Sequence, residues 1–255
     1  MSGLPERTIS LRKEGIKVDI RVFEEAIDIW RAMASHWREI AAEAVAERGS
    51  FTVAISGGRT PLPFYCFLGR TTGIPWEKTD LFQVDERFVP RDDDESNFRL
   101  IDLSLLLKAP IPRERVHPMP VDGNSAAAAA ARYEREMRDF FRLPEFDWPS
   151  FDLVLLGIGE DGHTASLFPG EDVLDEQERW TASVLPATAA QERITLTLPL
   201  INRARHVFFM ATGKGKAEVI GKVCAGADRR RPASLVSPRE GTVTFYLDRE
   251  AGSGV

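Results

Sequence analysis

Short apolar runs with strand character alternate along this chain with longer amphipathic segments, and several of the apolar runs stop at polar corners. Lys17–Val22 reads as a strand, and the spacing of Ala, Ile and Trp over Glu24–Glu47 reads as a helix. Phe51–Ile55 is a short buried strand, followed by a helix to about Leu68. Leu81–Val84 is the next strand, and Ser96-Asn97 then opens a helix through about Leu107, with Ser96 as its N-cap. Val116–Met119 is a short strand, and Asn124 or Ser125 caps a helix over Ala126–Phe141. Phe151–Leu156, Arg193–Leu198, His206–Ala211 and Thr242–Leu247 read as strands, with a helix over Ala217–Cys224. This alternation predicts an α/β fold: a largely parallel sheet with helices on both faces. There is no internal repeat and no Pro/Ser linker, so residues 1–255 are expected to form one domain.

The 255 residues can build a core without metal or disulfide support. A net charge of −6 leaves no basic footprint, so nucleic acid is not an expected partner and useful cations should be local, aimed at a small anion. Cys66 and Cys224 lack metal-ligand spacing and read as buried, reduced thiols. No apolar run approaches ~18 residues, and Met1–Arg12 lacks a hydrophobic signal segment; the expectation is a cytoplasmic protein with no membrane partner. The acidic cluster Asp92–Glu95 reads as a solvated loop.

Three strand ends carry the chemistry. Leu153–Leu156 runs at once into Gly157-Ile158-Gly159-Glu160-Asp161-Gly162-His163-Thr164-Ala165-Ser166. Glycines let backbone amides approach a ligand closely, and a carboxylate two residues from an imidazole is acid/base equipment. A strand ending in such a loop delivers it to the carboxyl edge of the sheet, where open α/β folds keep their active sites. Gly157, Gly159 and Gly162 also match the G-x-G-x-x-G dinucleotide spacing, but Phe168-Pro169-Gly170 breaks the helix which that motif requires. Ser56-Gly57-Gly58-Arg59-Thr60-Pro61 is a second strand-to-helix junction, suited to an anion through its amides and the helix dipole. It lacks the Lys-Ser/Thr of a P-loop, so a monophosphate fits better than a nucleoside triphosphate. Asp85-Glu86-Arg87 is the third; Asp85 is expected to point into the crevice, with an internal Asp85–Arg87 ion pair as the alternative. His36, His117 and His206 read as structural, whereas His163 sits among glycine, acid and hydroxyl residues.

These blocks, in this order, resemble the glucosamine-6-phosphate isomerase/6-phosphogluconolactonase family on its lactonase side. The resemblance covers nearly the whole chain and rests on Ser56–Pro61, Asp85–Pro90, Ser96-Asn97, Gly157–Pro169, Arg193–Thr197, Ile201-Asn202 and Gly213–Ala217. It implies a NagB/RpiA-like fold and hydrolysis of 6-phospho-D-glucono-1,5-lactone to 6-phosphogluconate, the second step of the oxidative pentose phosphate pathway, with no metal and no cofactor. It implies that His163 is catalytic, taking a proton from water and returning it to the ring oxygen; an imidazole with an unperturbed pKa of about 6.5 suits that task. Asp161 would orient the ring or bind a sugar hydroxyl, and Asp85 is the other candidate acid/base group. The 6-phosphate would sit on Ser56, Gly57, Gly58, Arg59 and Thr60, where Arg59 replaces a serine of many relatives and either adds a phosphate contact or points to solvent, with Arg87 and Lys216 as cationic partners, Lys214 able to share the task, and Gly159 beside the substrate. The expected partner is therefore a small sugar-phosphate lactone, and the expected state a monomer.

The deaminase side of the family resembles Gly-His-Ile-Ala-Phe-Asn-Glu-Pro at this corner, with a catalytic glutamate before the proline. Phe168 stands in that place here and cannot shuttle protons. A non-catalytic sugar-phosphate sensor would carry a helix-turn-helix segment, and about sixteen residues precede the first predicted strand. Two departures from the family pattern, the arginines before Pro232-Ala233-Ser234 and Phe245-Tyr246 where tryptophan is common, are expected to lie away from the chemistry.

Overall fold

All residues of β3 (Phe51–Ile55) and β7 (Leu153–Leu156) are buried, as strands are when both faces of their sheet are covered. Their side chains alternate: Val53, Ile55, Leu153 and Leu155 enter one core, Ala54, Val154 and Leu156 the other. The computed structural model describes residues 5–13 and 16–255. Within it these strands lie near the middle of an eight-stranded sheet. In spatial order the sheet runs β1 (Arg7–Lys13), β2 (Ile16–Phe23), β11 (Thr242–Asp248), β10 (His206–Ala211), β7, β3, β4 (Thr79–Gln83) and β6 (Val116–His117). Every neighbouring pair is parallel except the β1–β2 hairpin.

Helices α1 (Ala26–Arg48) and α2 (Leu62–Leu68) bring Met33, Trp37 and Phe64 into the first core. Helices α4 (Ala126–Phe141) and α6 (Ala217–Ala225) bring Ala130, Tyr133, Val219 and Ile220 into the second. Ser125, not Asn124, caps α4, its hydroxyl accepting from the Ala128 N–H at 3.2 Å. Ser96 caps α3 (Asn97–Ile101) in the same way, and α3 passes directly into a π-helical turn over Asp102–Leu106. No helix among the described residues is long and apolar enough to cross a membrane.

A second, three-stranded antiparallel sheet corrects part of the expected layout. It contains β5 (Asp85–Arg87), β9 (Arg193–Leu196) and β8 (Thr181–Val184), in the order β5-β9-β8. The strand expected over Arg193–Leu198 thus lies outside the parallel sheet and stops at Leu196, where Leu198–Ile201 winds into α5. Val84 is the switch point between sheets: its N–H bonds the Ile55 carbonyl at 3.0 Å, and its carbonyl accepts from Leu196 at 2.8 Å. β1 and β8 were not expected, because neither carries a continuous apolar run. Cys66 and Cys224 form no disulfide and are half-buried rather than fully buried.

Candidate active site

The ends of β3, β4, β7 and β10 open onto one cavity of about 270 Å³ at the carboxyl edge of the parallel sheet. Brought together on its wall are Ser56, Gly57, Gly58, Arg59, Thr60, Asp85, Arg87, Gly159, His163 and Lys216. Asp161 belongs to the same corner through its bond to His163. Lys214 is exposed and does not line the cavity.

The Asp161–His163 pair forms inside the loop after β7. Asp161 Oδ1 lies 2.6 Å from His163 Nδ1 and also accepts the His163 backbone N–H at 3.0 Å. Burial works against ionisation of Asp161, but the hydrogen bonds and charge of His163 outweigh it and hold the carboxyl below its ordinary value. The turn is closed by the Gly159 N–H donating to the His163 carbonyl at 2.8 Å. That amide is therefore committed to the loop; Gly159 flanks the cavity without offering a donor. Its lack of a side chain is what matters: a Cβ there would fall 2.1 Å from His163 Nδ1 and 2.6 Å from Asp161 Oδ1. The imidazole packs on Phe168, with ring centroids 4.3 Å apart.

Across the cavity, the Ser56–Pro61 turn presents unused donors. Among the described residues, the amides of Gly57, Gly58, Arg59 and Thr60 meet no backbone or side-chain acceptor. The backbone of Gly57 comes so close to Asn97 that a Cβ would lie 2.3 Å from its amide group, so only glycine fits. Seven buried side-chain polar atoms lack partners among the described residues, and four of them line this cavity: Ser56 Oγ, Arg87 Nε, Asn97 Oδ1 and Arg193 Nε. Buried polar groups in a folded protein are almost always paired, so such a concentration marks a place for a polar ligand.

Asp85 does point into the crevice, as expected, but its carboxylate is held by the Ser166 hydroxyl at 2.7 Å. The alternative Asp85–Arg87 ion pair does not form: Arg87 reaches the Glu95 carbonyl at 2.6 Å and its carboxylate at 3.4 Å. The acidic cluster is therefore in part an anchor for Arg87 rather than only a solvated loop. Glu86, 1% exposed, ties this region together. Its carboxylate accepts from the N–H groups of Asn97 and Phe98, both at 2.7 Å, and from Gln83 at 3.0 Å. Burial pushes its carboxyl up while these bonds pull the other way. In this way β5 and the start of α3 are locked in one arrangement, which sets both Arg87 and Asn97 on the cavity wall.

Sequence reading did not single out Arg193 or Asn97 as site residues. Arg193 is the direct register partner of Arg87 across β5 and β9, and its guanidinium lies 5.5 Å from the Phe168 ring. Like charges placed opposite on a sheet are destabilising unless something negative lies between them. The cavity wall thus carries four cationic side chains, Arg59, Arg87, Arg193 and Lys216, against the single carboxylate of Asp85. In a protein of net charge −6 this is a local positive field that attracts anions. The available signal was Arg193 at the head of a short, otherwise uncharged strand; its partner could not be read from the chain.

A largely parallel α/β sheet, a turn of free amides in a cavity rich in cationic side chains, and an Asp–His pair on the same cavity are features that suit an enzyme of sugar phosphates. The chain belongs to the family of glucosamine-6-phosphate isomerases and 6-phosphogluconolactonases, whose profile matches residues 24–245. It is 41% identical over 215 residues to a 6-phosphogluconolactonase of Synechocystis sp., covering 84% of this chain and 88% of that protein. It is 36% identical to the chloroplastic 6-phosphogluconolactonase 3 of Arabidopsis thaliana, covering 95% and 76%. In three dimensions it is similar to the crystal structure of 6-phosphogluconolactonase from Thermotoga maritima, with a TM-score of 0.79, 30% identity and coverage of 91% and 100%.

Proposed function

We propose that this chain hydrolyses 6-phospho-D-glucono-1,5-lactone to 6-phospho-D-gluconate. The carrying observation is that His163, held by Asp161, and the unpaired amide donors of the Gly57–Thr60 turn face one cavity with an excess of positive charge. The family relationship and the lactonase names of the relatives support the same reading.

The 6-phosphate takes the Gly57–Thr60 amides and the Ser56 hydroxyl, with Arg59, Arg87, Arg193 and Lys216 supplying charge. With Asp161 ionised and bound to Nδ1, the proton of the neutral imidazole sits on Nδ1 and Nε2 is left as the free base. A water molecule gives its proton to Nε2 as its oxygen bonds to the lactone carbonyl carbon. When the bond from that carbon to the ring oxygen breaks, Nε2 returns the proton to the ring oxygen, which leaves as the sugar hydroxyl. The new carboxylic acid then ionises. Phe168 against the imidazole leaves no carboxylate where a deaminase-like enzyme would need one, which favours the lactonase over the isomerase reading.

The test uses lactone generated from glucose 6-phosphate by its dehydrogenase, with hydrolysis followed above the spontaneous rate. Wild type should accelerate opening, and His163→Ala should lose roughly 10²–10⁴-fold in kcat while still binding 6-phosphogluconate. No acceleration by the wild type would sink the assignment.

A further inference from the structure

The arginine run before Pro232 does not lie away from the chemistry. A Cβ on Gly162 would meet Arg231 Cβ at 2.8 Å and its Cα and Cγ at 2.9 Å, so this part of the chain lies directly on the turn between Asp161 and His163. The Gly162 carbonyl accepts from the Ala233 N–H at 2.9 Å, and Gly162 itself has φ +87°, a left-handed conformation that a glycine adopts without strain. The overlying segment, residues 228–234, is internally closed. Arg231 N–H bonds the Asp228 carbonyl at 2.8 Å, Ser234 N–H bonds the Arg231 carbonyl at 2.8 Å, and Asp228 N–H bonds the Ser234 hydroxyl at 2.8 Å. Residues 226–231 form no helix or strand of their own, and Arg229 anchors them outward to Asp175 at 2.9 Å. Two side chains tie its base: Arg231 ion-pairs with Asp228, and the Ser234 hydroxyl, which accepts from the Asp228 N–H, also donates to the Asp228 carbonyl at 3.1 Å. Arg230 also reaches Asp228, but its side chain is 83% exposed against 21% for Arg231.

We propose that the Asp228–Arg231 ion pair is a positioning clamp, pressing residues 228–234 onto Gly162 and so holding the Asp161–His163 pair at its working angle to the cavity. The physical case is that a catalytic pair on a loop is only as well placed as the groups that support it, and a displacement of about 1 Å can cost on the order of 10²-fold in rate. Arg231 and Asp228 touch no substrate in this scheme; they act through the loop. The inference rests on the lactonase reading for its kinetic readout.

The experiment compares wild type with Arg231→Ala, Arg231→Lys, Asp228→Asn and Arg230→Ala in steady-state lactone hydrolysis across pH, and follows the His163 imidazole by NMR titration. Arg231→Ala and Asp228→Asn should lower kcat about 10-fold, leave KM within about 3-fold, and move the titration midpoint of His163. Arg231→Lys should recover most of the rate, and Arg230→Ala should behave as wild type. Wild-type kcat and pH profile in both Arg231→Ala and Asp228→Asn would overturn the clamp, as would a lower Tm with unchanged kcat and His163 titration. Should Arg231→Ala fail to fold, the near-isosteric Asp228→Asn decides alone. An inactive wild type would remove the lactonase reading, and the His163 titration in the variants would still decide the clamp.

Discussion

Asp161 binds His163 twice, once through the ring at 2.6 Å and once through the backbone N–H at 3.0 Å, so one carboxylate sets both the tautomer and the place of the imidazole. Asp161→Asn keeps the shape but can turn its NH₂ toward Nδ1 and favour the wrong tautomer. The expected loss in kcat is roughly 10²-fold or more, with product affinity little changed. The carboxyl is held below its ordinary value, so the stabilisation it contributes is complete above about pH 3.9 and disappears only as pH falls through the lower folded-state value. Parallel kcat–pH and Tm–pH profiles of wild type and Asp161→Asn check both statements; equal kcat would refute the first.

Gly159 is the steric partner of the same pair. Gly159→Ala would place a methyl group 2.1 Å from the unmoved His163 ring, so the ring or the loop must shift. Activity should fall by about 10²-fold while far-ultraviolet circular dichroism stays that of the folded protein. Full activity in this variant would mean that the turn adapts without moving the imidazole.

Arg193 and Arg87 face one another across β5 and β9, a pairing of like charges that a bound anion would relieve. Arg193→Met keeps the aliphatic stem and removes one charge. Binding of 6-phosphogluconate, measured by calorimetry, should weaken about 10-fold or more, in line with the ~1.5–3 kcal/mol of a charged hydrogen bond. The Tm without ligand should stay level or rise. A lower Tm with unchanged affinity would assign Arg193 to the scaffold instead.

His117 should give the fold a pH-dependent component. Burial disfavours its charged form, but Glu136 at 3.1 Å from Nδ1 and Asp80 at 4.0 Å from Nε2 outweigh that and raise its pKa. A raised folded-state value means the contribution is complete below the unfolded value near 6.5 and is lost as pH rises through the folded one. His36 is pushed down to about 4 and His206 is also lowered, both mainly by burial, the opposite direction to His117, and both are retained in the variant compared below. Between pH 6 and 8.5 the wild-type Tm should fall by a few °C more than that of His117→Gln, as about 1 kcal/mol moves Tm by ~2–4 °C at this size. Identical slopes would remove His117 from the account.

Local chemistry explains what could be read early. A strand closing on Gly157-Ile158-Gly159-Glu160-Asp161-Gly162-His163 must put its loop at a sheet edge, and an Asp two residues before a His can reach it without help from elsewhere. The Ser56–Pro61 cradle is likewise a property of one short segment, because a turn that frees four amides needs no distant partner. Glu86 was legible as part of a motif but not in its role. Only the packing of α3 onto β5 shows that its carboxylate binds the Asn97 and Phe98 N–H groups.

The amino-acid sequence alone determined the alternating architecture, the glycine corner with its Asp–His pair and the turn with free amides, since each depends on the periodicity and turn chemistry of neighbouring residues. Tertiary structure alone decided that the chain leaves the parallel sheet at Val84, that Arg193 comes to face Arg87, and that Arg231 rests on Gly162. Those pairings join residues 106 and 69 positions apart, and the approach of such distant segments is governed by how whole layers pack. No local preference of either partner encodes it.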